Sequence, residues 1–294
     1  MRSAPVPLAS HVESWRPSPV TDADPLPPDP AVALSAVLDL PEPAAGAGDP
    51  LPPLWHWLYF LHWPAQHELG PDGHVRDGGF LPPVPDRRRM FAGGRLRVTA
   101  PLRLGVPAER VSSLSAVVPR QGRTGPLLFV TTRHEFRQSG TVCLVEEQDI
   151  VYRSGQPSGH ASAPPADAPT RLEADVPWSL RVQPDERLLF RFSALTANTH
   201  RIHYDAPYCR DVEGYPGLVV HGPLLVLLML ELVRRNAPGR RLRSLSYRLR
   251  QPVFAGEEVM AFGAVADGPV ELRIATRGEA RHATADATLG RHRT

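Results

Sequence analysis

Phe192-Ser-Ala-Leu-Thr-Ala-Asn-Thr-His-Arg-Ile-His-Tyr-Asp205, then Glu213-Gly-Tyr-Pro-Gly-Leu-Val-Val-His-Gly-Pro223, then Leu224-Leu-Val-Leu-Leu-Met-Leu-Glu-Leu-Val-Arg-Arg235, is the stretch that decides the fold. Its last part reads as a helix over 224–235, with Pro223 at the start, where a missing N–H costs little. That helix is apolar nearly all round, so it must be buried on every side. The first part places Asn198, His200, His203 and Asp205 in one loop after a short strand at 188–192. Gly214, Gly217 and Gly222 permit tight turns before the helix. Gly222 stands at the helix mouth, where backbone N–H groups lack intrahelical partners and suit a developing oxyanion. A histidine beside such a group makes an acid/base site for chemistry next to a carbonyl.

Outward from this stretch, strand segments follow at 241–251, 258–266, 271–276 and 280–289, bounded by turn residues. The first half has the same order. A helical spacing covers 31–40, and a compact apolar segment at 51–63 opens on Pro52 and Pro53 as a helix would. Strands are expected at 95–101, 111–120, 127–138 and 141–153, with Ser139-Gly140 as a hairpin turn. Pro101 and Pro252 each end a first strand, and each is followed four residues later by glycine, Gly105 and Gly256. Residues 155–170 have the Gly/Pro/Ala/Ser composition of a linker. The expected division is therefore 1–154, linker 155–170, and 171–294 carrying the loop and buried helix. An antiparallel sheet wrapped round one apolar helix accounts for each half. That is an α+β fold of the tandem, or double, hotdog kind, and two such units joined edge to edge leave no unpaired inner strand.

Composition narrows the chemistry. The chain has 294 residues, 34 prolines and 33 Lys+Arg, every one of them arginine. Schiff-base, P-loop and kinase-type lysine mechanisms are excluded. Any cationic site is built from guanidinium, which stays charged and grips phosphate or carboxylate as a fork. A net charge of +2 gives no sign of a nucleic-acid partner. Cys143 and Cys209 are far apart and match no metal-ligand spacing, as expected for a reduced cytoplasmic chain. The first ten residues lack the apolar core of a secretory signal, and the run 224–230 is far shorter than the ~20 residues that span a bilayer, so no membrane association is expected.

The quoted stretch resembles the hydratase motif of the MaoC-type dehydratases and (R)-specific enoyl-CoA hydratases. It is most similar to a double-hotdog group that includes type 2 3-hydroxyacyl-thioester dehydratases and the mesaconyl-C4-CoA and itaconyl-CoA hydratases. Residues 51–61 (Leu-Pro-Pro-Leu-Trp-His-Trp-Leu-Tyr-Phe-Leu) and 88–94 (Arg-Arg-Met-Phe-Ala-Gly-Gly) resemble that group's N-terminal domain. The resemblance implies reversible addition of water to an enoyl thioester. It gives His203 as the catalytic histidine and Gly222 as the N–H donor to the thioester carbonyl. Asn198 stands where the wider family has its catalytic aspartate. Asparagine can hold a water but cannot accept a proton, so the base role moves to His203, with Asp205 or His200 as helpers. The implied substrate is carried on CoA or acyl carrier protein, with no metal or redox cofactor, and a homodimer is a candidate assembly. The first half shows no second Asn/His loop and is expected to supply a lid and part of the acyl pocket. Arg87, Arg88 and Arg89 are either a solvated face or a clamp for CoA phosphates. His221 either packs at the helix start or meets the substrate. Two rival readings stay open: a hotdog acyl-CoA thioesterase, and a non-catalytic acyl-thioester-binding subunit.

Overall fold

The computed structural model of the chain describes residues 7–122, 125–154, 177–265 and 268–290. The expected linker at 155–170 lies outside them. In the first half the elements are β1 (Val20–Asp24), α1 (Asp29–Val37), β2 (Arg87–Val98), β3 (Ala108–Gly122), β4 (Gly125–Gln138) and β5 (Thr141–Ser154). In the second they are β6 (Trp178–Val182), α2 (Glu186–Leu195), α3 (Ala206–Asp211), α4 (Gly222–Asn236), β7 (Leu242–Leu249), β8 (Val259–Val265), β9 (Val270–Thr276) and β10 (Glu279–Leu289). All strands join one ten-stranded antiparallel sheet of order β1-β3-β4-β5-β2-β7-β10-β9-β8-β6.

The seam between the halves is the β2–β7 pair, from Gly93 opposite Arg248 to Arg97 opposite Ser244. Close approach there requires glycine. A Cβ on Gly93 would stand 2.4 Å from the Tyr247 carbonyl oxygen, and one on Gly94 2.5 Å from the Tyr247 hydroxyl oxygen. The seam leaves each half's inner strand paired, as edge management demands.

α4 behaves as its sequence requires. Leu224 through Val233 are all buried, packed against β6, β8, β9 and β10. Each fully buried leucine contributes about 1.5–3 kcal/mol, so this helix anchors the second half. Its one acid, Glu231, is buried but held by Arg234 and Arg235, each at 2.7 Å. Among the described residues no helix is long and apolar enough to cross a membrane.

Two expected elements differ. Residues 188–192 are not a strand but part of α2, because Asp185 caps the helix by accepting from the Leu188 N–H at 2.9 Å. Buried Leu189, Phe192 and Ser193 then fall at helical spacing, and the edge strand of this half is β6. Residues 51–63 do not form a second central helix. Leu54 takes a left-handed φ of 68°, and only a 3-10 turn at Trp55–Leu58 follows. That turn still enters the core through Trp55 and Leu58.

Candidate active site

α2 ends at Thr196, whose hydroxyl donates back to the Phe192 carbonyl at 2.8 Å. The chain then turns through Ala197, at φ 48°, into the Asn/His loop. The Asn198 Oδ1 accepts from the His200 backbone N–H at 3.0 Å, which leaves its amide N–H groups for other partners. A 3-10 turn at Arg201–His203 carries the chain into α3. Asp205 caps α3 by accepting from the Tyr208 N–H at 3.0 Å, and it also pairs with Arg201 at 2.7 Å. Both its oxygens are thus structural and it does not line the cleft, so the helper role expected for Asp205 is corrected to a cap.

His203 is buried, and its Nδ1 lies 2.7 Å from the Val219 carbonyl oxygen. A carbonyl only accepts, so Nδ1 carries the proton and Nε2 keeps a free lone pair. The ring stacks on His221 with centroids 3.6 Å apart. His221 is fully buried, N-caps α4 in position, and meets the Ser193 hydroxyl through Nε2 at 2.9 Å. It does not line the cleft but lies behind the His203 ring, packed at the helix start. Asn198, His200, His203, Gly222 and Arg87 to Arg89 all line one cleft of about 2100 Å³. That is larger than the roughly 300–1,000 Å³ of an ordinary small-molecule site.

The first half reaches into this cleft with a loop that sequence reading missed. Arg201 N–H donates to the Asp72 carbonyl at 2.9 Å, the Arg201 guanidinium donates to the Pro71 carbonyl at 2.9 Å, and the Thr199 hydroxyl donates to the Gly73 carbonyl. A Cβ on Gly73 would lie 1.9 Å from the Thr199 carbonyl oxygen, so only glycine lets the two loops touch. The docking brings His74, held by Asp72 at 3.0 Å, against His200 with ring centroids 4.0 Å apart. His200 in turn stands edge-on to His203 at 5.6 Å. Asp72, His74 and His200 are the one group, among the described residues, whose ligand atoms could hold a metal ion, all within 4.8 Å of one another. The positive charge of Arg89 acts on both histidines and opposes a cation there.

Burial holds all four imidazoles neutral. It pushes His203 from the ordinary 6.5 down to about 4, against the raising effect of the Val219 carbonyl and with the help of His74. His74 is pushed to about 4 by burial and Arg89, and His200 and His221 are lowered by burial and neighbouring histidines. His134, half-buried in the first half, is also lowered to about 4, chiefly by burial. Between pH 4 and 6.5 such histidines are neutral in the fold but protonated in the unfolded chain. The unfolded state then binds more protons, so stability is complete above about pH 6.5 and is lost as pH falls toward 4. One histidine so shifted removes about 2 kcal/mol between pH 7 and 5. Urea midpoints at these two pH values check this, and equal midpoints would contradict it.

The arginine run is divided by its partners. Arg88 forms an ion pair with Glu213, which also accepts from the Tyr208 hydroxyl at 3.1 Å. Arg87 lies 3.7 Å from exposed Asp77. The Arg89 side chain has neither an ion pair nor a hydrogen bond among the described residues, and its charge is exposed inside the cleft.

A curved antiparallel sheet on a buried helix, with a histidine beside the helix N-terminus, defines the MaoC-like hotdog dehydratases. The fold agrees with solved structures of that class. A MaoC-like dehydratase from Phytophthora capsici matches with a TM-score of 0.66 at 13% identity, over 97% of this chain and 99% of that one. HtdX of Mycobacterium tuberculosis matches with a TM-score of 0.60 at 17% identity, over 92% of this chain and 99% of that one. The sequence model of the hydroxyacyl-thioester dehydratase type 2 family matches residues 54–255, and the chain belongs to that family. Mesaconyl-C(4)-CoA hydratase of Chloroflexus aurantiacus is 49% identical over 225 residues, covering 76% of this chain and 78% of the relative. The mitochondrial hydroxyacyl-thioester dehydratase type 2 of Schizosaccharomyces pombe is 28% identical over 242 residues, covering 70% and 75%. The chain is an enzyme of the hydratase/dehydratase class.

Proposed function

We propose that this hydro-lyase adds water reversibly to an enoyl-CoA with His203 as its acid/base, Asn198 as its water holder and the Gly222 N–H as its oxyanion donor. The observation that carries the reading is the free Nε2 of His203 beside the N-terminus of α4. The Asn198 amide holds the attacking water. His203 Nε2 takes a proton as the water oxygen bonds to Cβ. The π electrons move to the thioester oxygen, where the Gly222 N–H and the positive end of α4 stabilise the enolate. The imidazolium then returns its proton to Cα, giving the 3-hydroxyacyl thioester. Water is consumed whole and the histidine ends neutral. Burial favours that neutral resting form, since a charged imidazole would lack solvation. No step calls for a metal or redox cofactor, and CoA enters as part of the substrate. We read 1–154 and 171–294 as two hotdog units, the first supplying the 66–86 loop over the second's site.

The acyl group is taken to be a short unsaturated dicarboxylate of the mesaconyl kind, on the strength of the 49% identical relative. A panel of crotonyl-CoA, mesaconyl-C4-CoA and itaconyl-CoA tests both levels. Loss of the conjugated thioester absorbance, fastest with mesaconyl-C4-CoA, is the expected result. Release of free CoA thiol without hydration would instead favour a thioesterase.

A further inference from the structure

Arg89 sits on β2 opposite Tyr152 of β5. The charges of Asp72, which is already bound to His74, and of Arg87, which repels it, both act on Arg89. A guanidinium stays protonated, and one that faces a cleft without a carboxylate partner keeps its fork of donors free for an anion. Arg88 is paired with Glu213, but Arg89 has no such partner among the described residues. The cleft therefore contains a fixed positive charge that no described side chain neutralises.

A CoA thioester brings two kinds of anion. The phosphates lie a pantetheine arm away from the thioester. A carboxylate on the acyl group lies next to the reacting carbons. Arg89 is at the reacting end: it lies two residues from Phe91 on the same face of β2, and Phe91 Cδ1 would stand 3.5 Å from a Cβ on Gly222, with Arg89, Phe91, Gly222 and His203 all lining the one cleft. Its charge also acts on His74 and His200, whose rings lead at 4.0 Å and 5.6 Å to His203.

We propose that Arg89 is the specificity residue of this site and binds the free carboxylate of an unsaturated dicarboxylic acyl-CoA. The proposal rests on the hydratase reading above. It also has a chemical consequence. An anionic carboxylate on Cβ repels the incoming water oxygen and weakens the electron demand of the double bond. A bidentate guanidinium neutralises that charge and orients Cβ toward the water. Arg89 thus acts on substrate choice and on the addition step together.

The test compares mesaconyl-C4-CoA with crotonyl-CoA. In Arg89→Met the ratio of kcat/KM between the two is expected to shift by about 10²-fold toward crotonyl-CoA, as loss of a charge-assisted fork predicts. Arg89→Lys, which keeps the charge without the fork, falls between. An equal loss on both substrates would overturn the proposal and assign Arg89 to the CoA phosphates. A second measurement needs no variant. Calorimetric binding of succinyl-CoA to the unaltered protein is expected to be at least about tenfold tighter than that of butyryl-CoA, and equal affinities overturn the proposal. If no substrate is hydrated yet succinyl-CoA is still preferred, the hydratase reading fails while the carboxylate site stands.

Discussion

Replacing His203 with glutamine is expected to lower hydration of the best enoyl-CoA by about 10²–10⁴-fold, the usual range for a lost acid/base group. Glutamine is chosen because its amide N–H can replace Nδ1 as donor to the Val219 carbonyl, 2.7 Å away in the native chain. Alanine would leave that buried carbonyl unpaired, at a cost of about 1–3 kcal/mol. The glutamine variant therefore separates chemistry from folding: its urea midpoint stays close to native while kcat falls. KM changes little, because the lost interaction belongs to the transition state. Turnover within about threefold of native would remove His203 from the mechanism. His200 is the contrasting position. Its ring makes no hydrogen bond and lies between His74 and His203.

Much of this arrangement is written locally. α4 was legible because a helix apolar on every side has one home, inside a curved sheet. The Ser139-Gly140 hairpin was legible because both residues take positive φ, 48° and 76°, which glycine favours in a tight turn. The segment 188–192 was not, since five mostly apolar residues fit a strand as well as a helix. Asp185 was the available signal, as a capping residue three positions before Leu188. Leu54 was opaque for another reason: a leucine in the left-handed region is held by its surroundings and not by its own preference. Asp72 and His74 carried no signal at all. They lie in a Gly/Pro-rich stretch, and the Thr199–Gly73 contact that brings them to the site spans 126 residues. The tie from Arg88 to Glu213 spans 125, so the sequence could group the three arginines but not separate them.

Gly222→Ala is the other large effect, and its cause can be isolated. The added Cβ would stand 2.4 Å from Leu249 Cδ1 and 3.5 Å from Phe91 Cδ1, both lining the cleft. Two consequences follow. Leu249 must move, which its flexible end permits at modest cost. The methyl also occupies the approach to the first N–H of α4, where the thioester oxygen is to sit. A displacement of about 1 Å there costs about 10²-fold in rate. Leu249→Ala alone removes the clash partner and keeps the oxyanion site, so it retains most of the activity lost in Gly222→Ala. In the double variant the packing conflict is gone but the methyl remains over the N–H. Its kcat is therefore expected to stay about 10²-fold below that of Leu249→Ala, with a urea midpoint matching that variant. Recovery of kcat in the double variant would mean that Gly222 is glycine only to make room for Leu249. A persistent deficit means that the space above Gly222 belongs to the reacting carbonyl, and that the buried helix which organises this half also supplies its electrostatic centre.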